Sequence, residues 1–458
     1  MWFVVCCLLL KIHHPIYKNL EHTTYNIQQT TYNLQNMIEI KPHSIKPYCE
    51  VSVPGSKSYT HRILIAAALS DGVCPIGNAL IAEDTRLTRQ ALEQMGIRIE
   101  DAPDSRIIVH GRRGHLHPAA DRIYLGNSGT SMRLLAAVAA LGRGGLTLYG
   151  TQRMAERPIQ DLIDALNQLG VPIRSTGRSG CPPVEVRGGP IRGGSVTINC
   201  RTSSQYLSAL LLIAPYTEKG LDIAVAGGPV SKPYVDMTID VMNEFGVMVD
   251  REKYDRFVVA GRQTYRAGAY TVEPDASQAG YFWAAAAVCG TRIKVKGVVQ
   301  NSRQGDVQFA QLLAGMGCEI HNAADGITVA GRRLRAAEID MGDMPDMVPT
   351  LAVVAAFAEG TTVIRNVSHL KAKESDRLTA VANELVKMGI QARCGANELI
   401  VTGGQPHGAA IETYGDHRIA MSFAVAGLAA PGTSILDENC VEKSFPDFWK
   451  VFEGLAEC

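Results

Sequence analysis

The sequence predicts an α/β protein of two domains, built from six copies of a βαβαββ-like unit of about 70 residues each. Three observations predict this class. One series of helical segments ends in glycines that recur at a nearly constant spacing. A second series of apolar helical segments alternates with the first, and strand-like runs follow the segments of both series. The chain has 458 residues, of which 46% are hydrophobic and 20% charged, a composition typical of a globular protein with more than one core.

The first series consists of amphipathic segments that end in glycine and continue into a strand-like run. Apolar residues recur in these segments at the three-to-four-residue spacing of a helix that buries one face. Glycine ends a helix readily because it adopts the left-handed conformation without a steric penalty. The glycines after the first five segments are 71 to 76 residues apart: Gly96, Gly170, Gly246, Gly317 and Gly389. In chain order the segments are EDTRLTRQALEQMGIRI, ERPIQDLIDALNQLGVPI, KPYVDMTIDVMNEFGVMV, GDVQFAQLLAGMGCEI, KESDRLTAVANELVKMGIQA and KSFPDFWKVFEGL.

The second series consists of helical segments that are apolar on nearly every face, which is typical of buried helices. Strand-like runs such as TRIKVKGVV and TTVIRNV follow them. Because six buried helices fit poorly into one core, we expect two domains with three units each. The segments start 71 to 75 residues apart, near Ser58, Gly129, Ser204, Ala276, Met347 and Arg418. In chain order they are SYTHRILIAAALSDG, SGTSMRLLAAVAALGRG, SSQYLSALLLIAPY, ASQAGYFWAAAAVCG, PDMVPTLAVVAAFAEG and DHRIAMSFAVAGLAAPG.

The polar residues of the apolar helices cluster at the helix N-termini, where unpaired N–H groups and the helix dipole favour anions. Basic residues stand at the same ends, namely Lys57, Arg62, Arg133 and Arg418. The stretch VPGSKSYTHR around Lys57 is not a Walker A loop, because no glycine directly precedes the lysine. We interpret it as the first of six helix ends that converge on an anion-binding cleft between the domains.

Charge and cysteine content argue against several other classes. Lys plus Arg equals Asp plus Glu at 45 each, whereas a nucleic-acid-binding protein normally carries a basic surplus, so we expect no nucleic-acid partner. The eleven cysteines include no C-x-x-C pair, so neither a zinc ribbon nor a thioredoxin-type motif is indicated. An odd number of scattered cysteines is typical of reduced thiols in a cytoplasmic protein.

Residues 1–36 differ from the rest of the chain. The opening MWFVVCCLLL has only ten apolar residues, too few for a membrane helix, and it lacks the basic start of a secretory signal. The segment contains neither Arg nor Ser, which speaks against an organellar transit peptide. We expect residues 1–36 to be an extension outside the fold, with the functional chain beginning near Met37 and no membrane association.

Eight motifs, in order from about Met37 to the C-terminus, carry a resemblance to a known family. They are PGSKSYTHR, LGNSGTSMR, RMAERPI, SSQYLSALL, SKPYVD, KESDR, YGDHRIAM and KSFPDF. On these motifs the chain resembles the enolpyruvyltransferase family. The resemblance implies an inside-out α/β barrel of two domains, with three units and buried helices in each. It also implies that the chain crosses twice, so that residues 37–55 and 273–458 form one domain and residues 56–272 form the other.

The resemblance implies a transferase that moves the enolpyruvyl group of phosphoenolpyruvate to the 5-hydroxyl of shikimate 3-phosphate and releases phosphate. This reaction belongs to the shikimate pathway, which leads to chorismate and the aromatic amino acids. Both substrates are anions, so the site needs several cations, a base for the hydroxyl and an acid for the methylene carbon. The implied intermediate is a tetrahedral ketal, formed without a cofactor or a metal ion. We expect a monomer whose partners are its two substrates.

Matching the motifs position by position implies roles for individual residues. For proton transfer the resemblance gives Asp346, Glu374 and Lys57. For phosphoenolpyruvate it gives Lys57, Asn127, Gly129, Arg157, Gln205, Arg377, Arg418 and Lys443. For shikimate 3-phosphate it gives Lys57, Ser58, Arg62, Ser203, Ser204, Gln205, Ser231, Asp346, His369 and Lys373. His369 departs from the family pattern, because many members have Asn there, and we expect it to donate one hydrogen bond.

Two alternatives share the same fold. The sister enzyme that transfers enolpyruvate to UDP-N-acetylglucosamine carries a cysteine in the loop corresponding to GTQRMAERPI, and Lys-Asn in place of Lys57 and Ser58; this chain has neither feature. A non-catalytic binding protein would lack at least one ion-pairing or proton-transfer residue, yet all of them are present. Gly129 further implies a pocket that admits glyphosate, a phosphoenolpyruvate mimic that should inhibit the enzyme.

Overall fold

The computed structural model describes residues 36–41, 46–178 and 180–456. Of the predicted extension 1–36, all residues but Asn36 lie outside the described residues. The α-helices are α1 (Lys57–Leu69), α2 (Glu83–Gln94), α3 (Gly129–Ala139), α4 (Gln160–Gln168), α5 (Gln205–Ile213), α6 (Pro233–Glu244), α7 (Ala276–Cys289), α8 (Phe309–Gly315), α9 (Val348–Ala356), α10 (Arg377–Lys387), α11 (His417–Gly427) and α12 (Phe448–Glu453).

The strands form small sheets around these helices. In chain order they are β1 (Met37–Glu39), β2 (Tyr48–Ser52), β3 (Val73–Gly77), β4 (Arg98–Asp101), β5 (Ile107–His110), β6 (Arg122–Tyr124), β7 (Gly144–Tyr149), β8 (Ile173–Ser175), β9 (Val184–Gly188), β10 (Gly194–Asn199), β11 (Leu221–Ala226), β12 (Asp250–Glu252), β13 (Arg256–Val259), β14 (Tyr270–Thr271), β15 (Arg292–Lys296), β16 (Glu319–Ala323), β17 (Gly326–Ala330), β18 (Glu338–Asp340), β19 (Thr361–Arg365), β20 (Gln391–Cys394), β21 (Glu398–Thr402), β22 (Ala410–Ile411) and β23 (Ser434–Leu436).

The elements repeat in the order βαβαββ along the chain. The unit β6-α3-β7-α4-β8-β9 forms a sheet of order β6-β7-β9-β8, in which β6 and β7 are parallel and the other neighbours antiparallel. Sheets β10-β11-β13-β12 and β18-β19-β21-β20 have the same pattern. The last unit, β22-α11-β23-α12, lacks the final hairpin within the described residues. The fold is therefore mixed α/β. Within the described part of the chain no sheet closes into a barrel, so the inside-out barrel stays a prediction.

The first and fourth units exchange their first strands. Strand β2 pairs in parallel with β15, where Val51 lies opposite Val295, and β14 pairs in parallel with β3, where Thr271 lies opposite Gly77. A bridge between Gly55 and Pro274 joins the two crossing segments. The N-terminal strands consequently belong to sheets whose other strands follow residue 290.

Buried apolar side chains form two separate cores. One consists of residues between Tyr59 and Val272 and contains α1, α3 and α5. The other consists of residues between Ile40 and Val53 together with residues between Ala276 and Leu455, and it contains α7, α9 and α11. The helices predicted to be apolar on all faces thus lie inside the cores, as expected.

Local sequence signals determine where the helices begin and end. The glycines predicted to terminate the amphipathic helices adopt the left-handed conformation, with φ of +92° at Gly96, +80° at Gly170, +81° at Gly246, +114° at Gly317 and +81° at Gly389. Side chains that accept a hydrogen bond from the first-turn backbone cap several buried helices, namely Ser56 (α1), Ser128 (α3), Asp275 (α7) and Asp416 (α11).

Candidate active site

A polar cavity of about 40 Å³ lies where the N-termini of buried helices from both cores meet. The first core contributes Lys57, Ser58, Thr130, Arg133, Arg157, Thr202, Ser203, Ser204, Gln205, Val230, Ser231 and Tyr234. The second core contributes Asp346, His369, Lys373, Glu374 and Arg377. Five cationic side chains thus line the cavity with only two carboxylates. A larger groove of about 670 Å³ over sheet β6-β7-β9-β8 gathers no comparable set of catalytic groups.

Most of the residues predicted for the site line this cavity. The predicted residues that do so are Lys57, Ser58, Arg157, Ser203, Ser204, Gln205, Ser231, Asp346, His369, Lys373, Glu374 and Arg377. Five predicted residues do not line it: Arg62, Asn127, Gly129, Arg418 and Lys443. The structure therefore brings the predicted residues together from both cores.

Arg377, the first residue of α10, connects the carboxylates of the site. Its Nε donates to Oδ2 of Asp416 at 2.7 Å, its Nη1 to Oδ1 of Asp346 at 2.9 Å and its Nη2 to Oε2 of Glu374 at 2.6 Å. Burial alone would lower the pKa of Arg377, but the three carboxylates raise it above its ordinary value. A permanent guanidinium therefore orients both predicted proton-transfer carboxylates.

Asp346 lies in the 3-10 helix Pro345–Met347, just before α9. Besides Arg377, it accepts from Nη2 of Arg418 at 2.6 Å and from the hydroxyl of Tyr234 at 3.2 Å. Burial raises the pKa of Asp346, but the charges of Arg418, Lys373 and Arg377 outweigh this effect and hold the pKa well below its ordinary value. Asp346 is therefore an ionised carboxylate at neutral pH.

Asp84, in the first turn of α2, holds two of the predicted lysines together. Its Oδ2 lies 3.3 Å from Nζ of Lys57, and its Oδ1 lies 2.6 Å from Nζ of Lys443. Lys443 also donates to the backbone oxygen of Asn127 at 3.2 Å. Burial raises the pKa of Asp84, yet the two lysines hold it below its ordinary value. The lysines come from different cores, so Asp84 joins the two halves.

Arg157 occupies the space that the missing side chain of Gly129 leaves open. Its Nη1 donates to O and Oδ1 of Asn127 at 2.8 and 3.1 Å, and its Nη2 lies 3.6 Å from Oε1 of Glu374. A Cβ atom on Gly129 would lie 2.4 Å from Nη2 of Arg157. Burial lowers the pKa of Arg157 to about 10, so it stays charged at neutral pH. Glycine is required here because the guanidinium of Arg157 approaches its backbone closely.

Glu374 lies beside Arg377 and Arg157, and its carboxylate is buried. Burial raises the pKa of Glu374, but Arg377, Arg157 and Lys57 hold it well below the ordinary value. To act as an acid, this carboxylate needs a proton from the reaction itself. An ionised carboxylate can accept a proton but has none to donate.

The opposite side of the cavity carries hydrogen-bonding groups. Gln205, at the start of α5, accepts from Nη1 of Arg133 at 2.8 Å and donates to Oγ1 of Thr130 at 2.9 Å. Ser204 precedes α5 but makes no side-chain cap. Ser231 has φ of +54°, and its backbone N–H donates to the oxygen of Gly342 in the other half at 3.1 Å.

Lys373 and His369 line the cavity from the second core. Burial lowers the pKa of Lys373 to about 8 and that of His369 to about 3. Nε2 of His369 is buried and has no hydrogen-bond partner among the described residues. A neutral imidazole with an unpaired nitrogen suits the single hydrogen bond predicted for it.

Arg62 differs from the other predicted binders, because its guanidinium is used within the first core. It donates to Oγ1 of Thr238 at 2.7 Å, to the backbone oxygens of Ser58 at 2.8 Å and Tyr234 at 3.1 Å, and to Oγ of Ser208 at 3.4 Å. In this arrangement Arg62 supports Ser58 and Tyr234, while its direct contact with substrate stays a prediction.

Several residues of the site were not among the predicted ones. Tyr234 lies within the quoted motif SKPYVD, so its motif position was the available signal. Arg133 was predicted for the anion-binding cleft and lines the cavity, but no substrate was assigned to it. Asp84 and Asp416 gave a weaker signal, because an acidic residue at a helix start is usually an exposed cap. Both are fully buried here.

No group of three or more His, Cys, Asp or Glu side chains in residues 36–41, 46–178 and 180–456 is placed to hold a metal ion. Within the same ranges no helix has the length and apolar character needed to cross a membrane.

Comparison with known proteins identifies the family. The profile of the family described as EPSP synthase (3-phosphoshikimate 1-carboxyvinyltransferase) matches residues 46–452. The chain belongs to the EPSP synthase family. The resemblance to enolpyruvyltransferases is thereby confirmed, and the match favours the shikimate enzyme over the UDP-N-acetylglucosamine enzyme.

Individual relatives within the EPSP synthase family cover almost the whole chain. A 3-phosphoshikimate 1-carboxyvinyltransferase from Methanoculleus marisnigri is 44% identical over 404 residues, which cover 88% of this chain and 95% of the relative. One from Marinomonas sp. is 42% identical over 426 residues, covering 92% and 100%. A solved structure of EPSP synthase from Acinetobacter baumannii superposes with a TM-score of 0.75 at 30% identity, covering 91% of this chain and 97% of that one.

Proposed function

We propose that this chain is a 3-phosphoshikimate 1-carboxyvinyltransferase, which transfers the enolpyruvyl group of phosphoenolpyruvate to the 5-hydroxyl of shikimate 3-phosphate. The observation that carries this proposal is the pairing of Arg377 with Asp346 and Glu374 at once, inside a cavity lined by five cationic side chains. Two anionic substrates and two proton transfers require this combination. Membership of the EPSP synthase family supports the same function.

In the proposed addition step, the substrate hydroxyl gives its proton to Asp346 while its oxygen bonds to C2 of phosphoenolpyruvate. The methylene carbon takes a proton from the ammonium group of Lys57, and a tetrahedral ketal forms. In the elimination step the C2–O bond to phosphate breaks, the methyl group gives up a proton to Glu374, and the enol ether is restored. Inorganic phosphate leaves with the proton held by Asp346, and Glu374 returns its proton to Lys57, so atoms and charges balance over both steps. A base within hydrogen-bond reach contributes about 10² to 10⁴ in rate.

We propose that the two substrates bind in neighbouring parts of the cavity, and the distribution of charge supports this arrangement. Phosphoenolpyruvate fits beside Arg157 and Lys57, where planar guanidinium groups suit a carboxylate and a phosphate. Shikimate 3-phosphate fits beside Ser203, Ser204 and Lys373, which offer hydroxyl donors and a cation. Lys57, between the two, binds both phosphates and supplies the proton that the methylene carbon gains, while Arg157 counters the charge that develops on the leaving phosphate.

The remaining expectations are part of the proposal. We propose two domains, residues 37–55 with 273–458 and residues 56–272, each an inside-out barrel of three units; the two separate cores and the exchanged strands β2 and β14 support these boundaries. We also propose a cytoplasmic monomer that needs neither cofactor nor metal. Buried free thiols at Cys74, Cys200 and Cys318 support a reducing location.

Phosphate release from phosphoenolpyruvate tests the function. The purified protein should release phosphate with shikimate 3-phosphate present and remain inactive without an acceptor. An Asp346→Ala variant should lose this activity. Release with UDP-N-acetylglucosamine alone would assign the chain to the sister reaction, and no release with either acceptor would favour a non-catalytic binding protein.

A further inference from the structure

Arg153 lies at the rim of the cavity, outside its lining, and connects the two halves of the protein. Its Nε donates to the backbone oxygen of Glu374 at 3.2 Å, and its Nη2 donates to those of Lys371 at 3.2 Å and Lys373 at 3.1 Å. Its Nη1 donates to Oε2 of Glu156 at 2.9 Å. A guanidinium has five N–H donors in a fixed fork, and most of them are engaged here.

The three acceptors lie on one short loop, residues 371–374, that carries active-site side chains. This loop begins at the end of the 3-10 helix Ser368–Ala372 and leads into α10. Its own backbone hydrogen bonding is sparse, with a 3.4 Å contact from the N–H of Lys373 to the oxygen of Leu370. Lys373 and Glu374 line the cavity, so the position of this loop determines where a cation and a proton-transfer group stand.

Arg153 and Arg157 belong to the same turn and bind the same loop residue. Arg153 precedes the 3-10 helix Met154–Glu156, and Arg157 follows it. Arg153 binds the backbone oxygen of Glu374, while Arg157 lies 3.6 Å from its carboxylate. The two contacts fix both the backbone and the side chain of Glu374 against the first half.

Other contacts between the halves involve predicted substrate-binding residues or a backbone donor. The pairs of Asp84 with Lys57 and Lys443 involve predicted substrate-binding lysines. At another part of the rim, the N–H of Lys232 donates to Oδ1 of Asp343 at 3.0 Å, which a side-chain substitution of Lys232 would leave intact. Arg153 can therefore be changed without substituting a residue of the cavity lining or removing a backbone donor.

We propose that Arg153 is a positioning residue, which holds Lys373 and Glu374 against Arg157 when the two halves are closed. As a contribution to catalysis, this inference rests on the proposed function. The cavity of about 40 Å³ is far below the roughly 300 to 1,000 Å³ of typical ligand sites, so substrate entry requires the halves to separate. The contacts of Arg153 must then form again before each reaction, and their loss misplaces the loop.

The experiment compares Arg153→Gln and Arg153→Lys with the wild type. Arg256→Gln is the matched control, because Arg256 is an exposed arginine that pairs with Asp222 at 2.8 Å on the sheet of the first core. Two readouts are needed: kcat and KM for both substrates, and hydrogen exchange of the amides in residues 371–377. Thermal unfolding of each variant separates loss of the fold from loss of positioning.

In Arg153→Gln we expect kcat to fall about 100-fold, because a displacement of about 1 Å in a reacting group costs a factor of this size. Exchange in residues 371–377 should become at least about tenfold faster in the free protein. Arg153→Lys should lie between Gln and the wild type in both readouts, since an ammonium reaches fewer carbonyl oxygens than a guanidinium. Arg256→Gln should match the wild type.

Unchanged kcat in Arg153→Gln overturns the proposal, whether or not exchange changes. Reduced kcat with unchanged exchange also overturns it, because the arginine would then act by another route. If Arg153→Gln fails to fold, Arg153→Lys decides in the same way. If the wild type releases no phosphate with shikimate 3-phosphate, the proposed function fails, and exchange alone still decides whether Arg153 holds the loop.

Discussion

Replacing Asp346 by Asn should remove most of the activity while leaving the shape of the site in place. Asn has the size of Asp but is neither a base nor an anion. Loss of a general base lowers the rate by about 10² to 10⁴, so we expect kcat of Asp346→Asn to fall within this range. KM values should change less, because Asp346 lines only one side of the cavity.

The same substitution should also reduce stability, because two buried arginines lose a counter-charge. Arg377 and Arg418 lie 2.9 and 2.6 Å from the Asp346 carboxylate, and their side chains are only 1% and 3% exposed. Breaking a buried ion pair costs about 3 to 5 kcal/mol, and the remaining partners of Arg377 make the lower figure the expected one. Urea unfolding at pH 7 measures this loss in free energy.

Activity is best measured as phosphate release at saturating substrates between pH 5 and 8. The pKa of Asp346 is held well below its ordinary value, so the carboxylate is ionised over this range. The factor by which kcat falls in Asp346→Asn should therefore not vary with pH. Asp325→Asn is the control, because Asp325 is an exposed residue paired with Lys294. A kcat within about threefold of the wild type, in a folded Asp346→Asn protein, would refute the assignment of the base.

Three further substitutions test other parts of the site. Gly129→Ala should weaken inhibition by glyphosate at least about tenfold, because its Cβ would lie 2.4 Å from Nη2 of Arg157, whereas Gly145→Ala, with no atom within 4 Å of its Cβ, should leave the inhibition constant unchanged. Asp84→Asn should lower the unfolding free energy at pH 7 by about 3 kcal/mol. Because the pKa of Asp84 in the folded protein lies below the ordinary 3.8, its contribution to the free energy of unfolding is present above that pH and lost below it. In urea unfolding, acidification should therefore lower the free energy of unfolding less in the variant than in the wild type. Lys373 loses its proton above pH about 8, so KM for shikimate 3-phosphate should rise there in the wild type and not in Lys373→Arg; a parallel rise in both would contradict its role.

The repeated units were predictable because their signals are local. A glycine that ends a helix, such as Gly170, needs only its own backbone conformation, and an apolar helix such as α9 indicates its burial by composition. The exchange of β2 and β14 was implied only by the resemblance. A strand's own sequence does not reveal which partner it pairs with, since the choice depends on contacts more than 190 residues away.

The site shows the same division between local and distant signals. Asp346 and Glu374 were found because their motifs resemble a family, although an acidic residue before a helix usually caps it. Asp84 was missed because the segment EDTR reads as an exposed acidic first turn, yet Lys443, distant in sequence, buries and pairs with it. Arg62 has the predicted identity, but its hydrogen bonds within the core could not be read from its motif.

The exchanged strands also affect how the protein is made on the ribosome. Strand β2 ends at Ser52, but its partner β15 begins at Arg292, and the partner of β1 begins at Ser434. At about 5 to 20 residues per second, synthesis of the intervening chain takes roughly 10 to 50 seconds for β2 and longer for β1. Residues 56–272 complete a core during this interval, while the first two strands expose unpaired edges that are prone to aggregation. A chaperone that covers the nascent N-terminal segment should therefore raise the yield of folded protein more than one that covers the segment that follows it.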